Sequence, residues 1–154
     1  MALIQYLSRI QFEFEAIGTL AEEITRLGLE RPLLVTDKGI EGTGILQRTL
    51  DAARPHLPVV YTGTTENPSE ACLETCLELW REHGCDGVIA LGGGSPIDLA
   101  KAVALITSHG GTFRDYDVKT GGSVEIGQVS PQIAIPTAAG TGAEIGRACV
   151  MTLN

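Results

Sequence analysis

Residues 88–101 read Val-Ile-Ala-Leu-Gly-Gly-Gly-Ser-Pro-Ile-Asp-Leu-Ala-Lys, and this stretch indicates the fold more clearly than any other part of the chain. An apolar run typical of a buried strand passes through three consecutive glycines into a segment with helical spacing. Ser95 suits a helix N-cap, Pro96 suits the first helical position, and Asp98 completes a near capping box. Glycines let a backbone approach a ligand closely, and the first amides of a helix attract anions. The stretch therefore predicts a phosphate-binding turn.

A purely structural turn is the alternative, because glycine-rich connections also occur where a strand and a helix must be joined tightly. The glycines fit neither G-x-G-x-x-G nor G-x-x-x-x-G-K followed by Ser or Thr, the two best-known phosphate loops. The pattern therefore disfavours a P-loop nucleoside triphosphatase.

The composition predicts one globular domain covering residues 1–154, since 44% of the residues are hydrophobic and 19% are charged. A net charge of −8 without a Lys/Arg cluster disfavours nucleic acid and anionic membranes as partners. No apolar run reaches membrane-spanning length, and the N-terminus lacks the pattern of a signal peptide. We therefore expect a cytoplasmic protein without a membrane partner.

Short apolar runs alternate with amphipathic segments of helical length along the chain. The runs are residues 33–36, 59–61, 87–91 and 132–135, and each is expected to form a central strand. Helical spacing follows Ser69 and Ser95, and it also marks residues 20–27 and 45–50. This alternation predicts an α/β fold, a Rossmann-like parallel sheet with helices on both faces.

Two segments depart from this alternation. Residues 10–15 alternate apolar and charged side chains, which predicts a half-exposed strand at an edge or at the contact of a homodimer. Residues 109–131 are rich in Gly, Asp, Thr and Ser, which predicts a long loop with a small hairpin around residues 124–126.

The four cysteines form no C-x-x-C pair, and we interpret them as small apolar packing residues. The three histidines are scattered, so we expect no metal site within this chain.

Small, hydroxylic and glycine residues recur just after the predicted strands. Asp37 follows the first strand, Asn67 and Pro68 follow the second, the triple glycine follows the third, and residues 136–142 follow the fourth. Ligands of open parallel sheets bind beyond these strand ends, so the loops together predict a binding cleft.

Four segments carry a family resemblance: LLVTDKGI at 33–40, ENP at 66–68, ALGGGSPIDLAKAVAL at 90–105 and IAIPTAAGTGAE at 133–144. Together they resemble the N-terminal nucleotide-binding domain of the iron-containing (group III) alcohol dehydrogenase family. The resemblance implies an enzyme that uses NAD or NADP and acts on a small-molecule alcohol or carbonyl substrate. It also implies iron or another divalent metal, held by a following helical domain.

The resemblance further implies roles for individual residues. Gly92, Gly93, Gly94 and Ser95 would bind the pyrophosphate, Thr137, Thr141 and Gly142 would line the cofactor, Asp37 would accept hydrogen bonds from the adenosine ribose, and Asn67 would lie close to the nucleotide. Asp98 matches the acidic position of the motif, with helix capping as an equal alternative. A carboxylate favours ribose hydroxyls and repels a 2′-phosphate, so Asp37 predicts NAD as the cofactor, with NADP as the alternative.

The chain departs from the family pattern at two positions and in length. Ala143 and Gly146 stand where many relatives have Ser and Thr, and the family's metal ligands, an Asp and three His, lie beyond residue 154. We therefore expect a truncated or partial chain that binds cofactor without turnover. A glycerol dehydrogenase or dehydroquinate synthase-like enzyme and a non-catalytic nucleotide-sensing module are the alternatives.

Overall fold

A single parallel sheet organises the protein in the computed structural model, which describes residues 8–153. The strands are β1 (Pro32–Val35), β2 (Val59–Tyr61), β3 (Gly87–Gly92) and β4 (Gln132–Pro136). Their order across the sheet is β2-β1-β3-β4, and every pair of neighbours runs parallel. The predicted strands and the predicted parallel fold are confirmed.

Five α-helices cover the sheet within the described residues. They are α1 (Leu20–Arg26), α2 (Lys38–Glu41), α3 (Ile45–Ala52), α4 (Glu70–His83) and α5 (Gly94–His109). Ser69 begins α4 by accepting a hydrogen bond from the Cys72 amide at 3.4 Å, and Gly84 ends it in the left-handed region. None of the helices in residues 8–153 is long and apolar enough to cross a bilayer.

The core lies in two layers, one on each face of the sheet, because side chains of a strand alternate between faces. Leu33, Val88 and Ala90 pack with α4 and α5, whereas Leu34 and Ile89 pack with α1 and α3. Helices therefore lie on both faces, as the sequence predicts.

Not every strand is central. In residues 8–153, β2 and β4 each have one neighbouring strand, so the prediction that they are central is wrong. In β4 half-buried and exposed residues alternate, in contrast to the fully buried β3. An apolar run identifies a strand, but it does not distinguish burial on both faces from an edge position.

The predicted strand at residues 10–15 does not form, and no β-residue occurs between residues 8 and 15. Glu15 has a φ of +62°, which interrupts an extended backbone, and its carboxylate pairs with Arg48. Phe12 and Phe14 are exposed to 98% and 101%. Alternation alone does not make a strand when no neighbouring strand supplies hydrogen bonds.

The predicted hairpin around residues 124–126 is also wrong. Three short 3-10 helices lie in this loop: Phe113–Tyr116, Val118–Thr120 and Gly122–Glu125. Asp115 and Asp117 cap backbone amides there, and Gly121 separates two of the helices with a φ of +83°. Local side-chain caps and glycine turns thus outweigh the strand preference of the two β-branched residues.

Helix α5 begins earlier than the sequence predicts. Gly93 is the N-cap, so Ser95 lies at the second helical position, Pro96 at the third, and no capping box forms with Asp98. The Ser95 hydroxyl instead accepts a hydrogen bond from the Asn67 amide at 3.3 Å.

Candidate functional site

A cavity of about 370 Å³ lies beyond the carboxyl ends of β1, β2 and β3. The loops that follow these three strands form its wall. The lining residues are Asp37, Lys38, Gly39, Thr64, Thr65, Glu66, Gly93, Gly94, Ser95 and Pro96. Ligands of open α/β sheets bind at this edge, and small-molecule sites have volumes of about 300–1,000 Å³.

The glycine turn supplies the anion-attracting wall of this cavity. Gly94 and Ser95 hold the first two positions of α5, where backbone amides have no carbonyl partner within a helix. Helix α5 is 16 residues long, so the aligned peptide dipoles place partial positive charge at this end. The adjoining Lys38 adds a cationic side chain to the same cavity. This wall can hold a phosphate.

Gly92 brings the glycine turn close to Asp37. Its φ is +146°, and a Cβ at this position would lie 2.7 Å from Pro96 Cγ and 3.4 Å from Asp37 Oδ2. Its carbonyl accepts a hydrogen bond from the Thr137 amide at 2.9 Å, which ties the turn to the loop after β4. Only glycine fits this backbone without a clash.

Asp37 caps a helix with one carboxylate oxygen, and its other oxygen lies near the glycine turn. Oδ1 accepts a hydrogen bond from the Ile40 amide at 2.9 Å and thereby caps α2. The second oxygen, Oδ2, lies on the side of Gly92. Since an ionised carboxylate only accepts hydrogen bonds, it suits the hydroxyls of a sugar.

Asn67 and Ser95 join the loop after β2 to the start of α5. The backbone amide of Asn67 donates a hydrogen bond to Ser95 Oγ at 3.3 Å, and the backbone carbonyl of Asn67 accepts one from the Thr152 hydroxyl at 3.2 Å. Because Ser95 Oγ accepts in this bond, its own proton is left to donate to a ligand. Asn67 therefore lies next to the cavity and positions one of its polar groups.

The loop after β4 borders the glycine turn without lining the cavity. A Cβ added to Gly94 would lie 3.5 Å from Thr141 Cβ. Thr141 Oγ1 accepts a hydrogen bond from the Ala143 amide at 3.3 Å. Gly142 has a φ of +66°, and its carbonyl accepts from the amides of Ile145 and Gly146. The structure thus brings Thr137 and Thr141 beside the turn, and Gly142 follows Thr141 in the same loop.

Asp98 does not line the cavity. Its carboxylate lies 3.6 Å from Lys101 Nζ, one helical turn further along α5, and both side chains are largely buried. Lys101 Nζ also donates to the Ala148 carbonyl at 2.8 Å. The pair therefore anchors the C-terminal segment against α5.

The sequence patterns did not single out Thr64 and Thr65, although both residues line the cavity. Their position soon after the second apolar run is the signal that points to them, because the loop after each strand faces the same edge. The motif quoted from that loop, ENP, begins at Glu66 and does not include the two threonines that precede it.

The Cys72 thiol lies behind the Thr65 wall of the cavity. Thr65 Oγ1 and Cys72 Sγ are 3.3 Å apart. Burial by itself raises the pKa of the Cys72 thiol, but hydrogen bonds from Thr65 and Ser69 outweigh burial and lower the pKa to about 7. By contrast, burial raises the pKa values of Cys76 and Cys85, and it raises that of Cys149 to about 11.

Thr65→Val is expected to move the ionisation of Cys72 to higher pH, because the hydroxyl that stabilises the thiolate is removed. Thiolate absorbance recorded against pH in the native protein measures this change, and a Cys72→Ser protein identifies the titrating group. In the unchanged chain we expect a first thiol to titrate near pH 7. An unaltered midpoint in Thr65→Val would exclude the hydroxyl as the cause.

No group of three or more His, Cys, Asp or Glu side chains in residues 8–153 is arranged to hold a metal ion. A second concavity, of about 410 Å³, is lined by four residues of α1, namely Ala21, Glu22, Thr25 and Arg26. It draws on one helix and no strand end, so it lacks the converging loops of the cavity beside the glycine turn.

Comparison with known proteins places these features in a family context. The sequence model of the family described as "Iron-containing alcohol dehydrogenase" matches residues 8–154. The chain is 43% identical over 155 residues to 4-hydroxybutyrate dehydrogenase of Cupriavidus necator, covering 100% of this chain and 41% of that protein. Lactaldehyde reductase of Escherichia coli K12 is 36% identical over 132 residues, which cover 84% of this chain and 34% of that protein. The chain thus spans well under half the length of these relatives.

Solved structures with the same fold give a consistent result. NADH-dependent butanol dehydrogenase A from Thermotoga maritima superposes with a TM-score of 0.86 at 26% identity, covering 99% of this chain and 38% of that one. Sulfoacetaldehyde reductase from Bifidobacterium kashiwanohense, in complex with NAD+, has a TM-score of 0.77 at 29% identity, and the match covers 94% of this chain and 39% of that chain.

Proposed function

The chain belongs to the iron-containing alcohol dehydrogenase family, and from this premise we propose that it is the nucleotide-binding part of an enzyme that interconverts an alcohol and its aldehyde or ketone. The observation that carries the proposal is the cavity between the start of α5 and Asp37, which offers amides for a phosphate and a carboxylate for a sugar. The relatives are dehydrogenases and reductases of small oxygenated compounds by name, and one of the similar structures contains NAD+.

The amides at the start of α5 and the Lys38 side chain suit the phosphates of NAD. In the proposed enzyme, NAD supplies the hydride acceptor for alcohol oxidation, and iron or another divalent metal supplies Lewis-acid activation of the alcohol oxygen. Residues 8–153 contain no group of three or more His, Cys, Asp or Glu side chains that could hold a metal ion, and we assign no metal ligand to them. The contribution of this chain is to bind and orient the nucleotide.

The proposed contacts follow from the positions of the polar groups. Gly92–Ser95 bind the pyrophosphate through the amides of the turn and the free proton of the Ser95 hydroxyl. Asp37 Oδ2 accepts from the adenosine ribose, and Asn67 positions Ser95. The loop with Thr137, Thr141 and Gly142 covers the cofactor from the β4 side, while Asp98 acts indirectly through its ion pair with Lys101.

Calorimetric titration of the 154-residue chain with NAD, NADP and ADP-ribose tests this function. We expect saturable binding that prefers NAD to NADP and does not change when a divalent metal is added. A helix terminus contributes only about 0.3–1 kcal/mol, whereas micromolar affinity requires about 8 kcal/mol. The affinity of this chain is therefore expected to be weak. A folded chain that binds none of the three at millimolar concentration would contradict the proposal.

Asp37→Asn is expected to narrow the preference for NAD over NADP. Asparagine retains an oxygen that caps α2 but removes the charge that repels a 2′-phosphate. Two unit charges about 4 Å apart in water interact by about 1 kcal/mol, which corresponds to a change of about fivefold in the ratio of affinities. Titration of both dinucleotides measures the ratio, and Asp51→Asn, on the exposed side of α3, is the matched control. An unchanged ratio would remove Asp37 from this role.

We also propose a cytoplasmic location, in agreement with the net charge of −8 and the absence of a membrane-spanning helix from residues 8–153.

The exposed Phe12 and Phe14 support a homodimer in which a second copy covers these side chains.

A further inference from the structure

Thr64 has a buried hydroxyl without a hydrogen-bond partner among the residues that the structure describes. The residue is only 7% exposed, and its buried Oγ1 forms no hydrogen bond. The two other buried threonines are satisfied, because Thr36 Oγ1 donates to the Leu91 carbonyl at 2.8 Å and Thr49 Oγ1 donates to the Ile45 carbonyl at 2.9 Å. Buried polar groups are almost always paired, so an unpaired one indicates a missing partner.

The position of Thr64 indicates what that partner is. Thr64 lines the same cavity as Asp37 and the glycine turn. Its amide donates to the Thr36 carbonyl at 3.3 Å, which holds Thr64 beside the residue that precedes Asp37. Rotation about χ1 exchanges the hydroxyl and methyl groups of a threonine, so Oγ1 can change its position when a ligand enters the cavity that Thr64 lines.

We propose that the Thr64 hydroxyl binds the adenosine ribose of the nucleotide together with Asp37. This inference rests on the proposed function, since it assigns a further binding residue to the same cavity. Each ribose hydroxyl can both donate and accept a hydrogen bond, whereas the Asp37 carboxylate can only accept. One Asp37 oxygen is already engaged with the Ile40 amide. A threonine hydroxyl supplies the donor that a carboxylate cannot provide.

The proposal predicts opposite effects on stability and binding when the hydroxyl is removed. Valine has nearly the shape of threonine, so Thr64→Val removes an unsatisfied polar atom from the ligand-free protein and leaves its packing intact. The ligand-free variant should unfold at the same temperature as the unchanged chain or at a higher one. Its affinity for a nucleotide with a ribose diol should fall by about three- to tenfold, the usual effect of one hydrogen bond.

The experiment compares ADP with 2′,3′-dideoxy-ADP by calorimetric titration of the 154-residue chain. Thr64→Val should lose affinity for ADP and keep its affinity for the dideoxy compound, which lacks the diol. Thr64→Ser keeps a hydroxyl and should retain most of the affinity for ADP. Thr49→Val is the matched control, because it removes a satisfied buried hydroxyl on α3 away from the cavity, and it should leave ADP binding unchanged.

The possible outcomes separate this inference from the proposed function. If the unchanged chain binds ADP and Thr64→Val binds it equally well, the inference fails and the proposed function stands. Equal losses for ADP and for the dideoxy compound would also overturn the assignment to the ribose, since the hydroxyl would then contact another part of the ligand. If the folded unchanged chain binds neither ADP nor NAD, the proposed function fails, and the inference fails with it.

Discussion

Gly93→Val is expected to weaken NAD binding by about a hundredfold or more without unfolding the protein. Hydrogen bonds to charged groups contribute about 1.5–3 kcal/mol each, so displacing a pyrophosphate from two amides removes at least two powers of ten in affinity. Gly93 lines the cavity as the N-cap of α5. A valine side chain there would occupy the space of the phosphate.

The fold should tolerate this substitution. Gly93 has a φ of −80°, and a Cβ there would lie 3.8 Å from Ala138 Cβ, which is an ordinary contact. Circular dichroism and thermal unfolding verify the fold, and calorimetry measures the affinity. Gly18→Val is the matched control, because a Cβ on Gly18 meets nothing within 4 Å and the residue lies in a 3-10 helix outside the cavity. Undiminished NAD binding by folded Gly93→Val would contradict the proposed phosphate site.

Ile89→Ala is expected to lower the free energy of unfolding by about 2–5 kcal/mol, the usual cost of removing a large side chain from a core. Ile89 is 0% exposed in β3, where it pairs with Leu34 of β1 and Ile133 of β4. Both neighbours belong to or pack against the same core layer as α1 and α3. The void left by the substitution therefore lies between packed strands and helices, which relax only partly around it.

Urea unfolding of Ile89→Ala and of the unchanged chain measures this loss. The control is Leu57→Ala, a change of the same kind at a residue that is 78% exposed. Surface substitutions usually change the free energy of unfolding by less than about 0.5 kcal/mol. An equal effect of the two substitutions would contradict the position of Ile89 at the centre of the core.

The strands and the main helices were predictable because their signals are local. The apolar run of β3, the N-cap at Ser69 and the glycine after α4 each lie within or beside the element that they define. The failures concern features that depend on distant residues. A strand at residues 10–15 requires a neighbouring strand for its backbone hydrogen bonds, and no local alternation guarantees one.

The same distinction separates the predicted and the missed parts of the site. The glycine turn was predictable because its signal lies in a single stretch of sequence. Asp37 and Asn67 were predictable because each follows an apolar run. Thr64 belongs to the site because β2 pairs with β1, and this pairing places Thr64 beside Thr36. The predicted helix cap at Ser95 was wrong for a related reason. The Ser95 hydroxyl accepts a hydrogen bond from Asn67, which is 28 residues away in the sequence, and does not cap its own helix.

Nuclear magnetic resonance of the 15N-labelled 154-residue chain tests directly whether NAD binds beside the glycine turn. We expect the largest amide shifts at Gly93, Gly94 and Ser95, with further shifts at Lys38 and Thr64 beside the cavity. Large shifts confined to the concavity on α1, between Ala21 and Arg26, would contradict the proposed site. An unchanged spectrum of the folded chain at millimolar NAD would contradict the nucleotide-binding function itself.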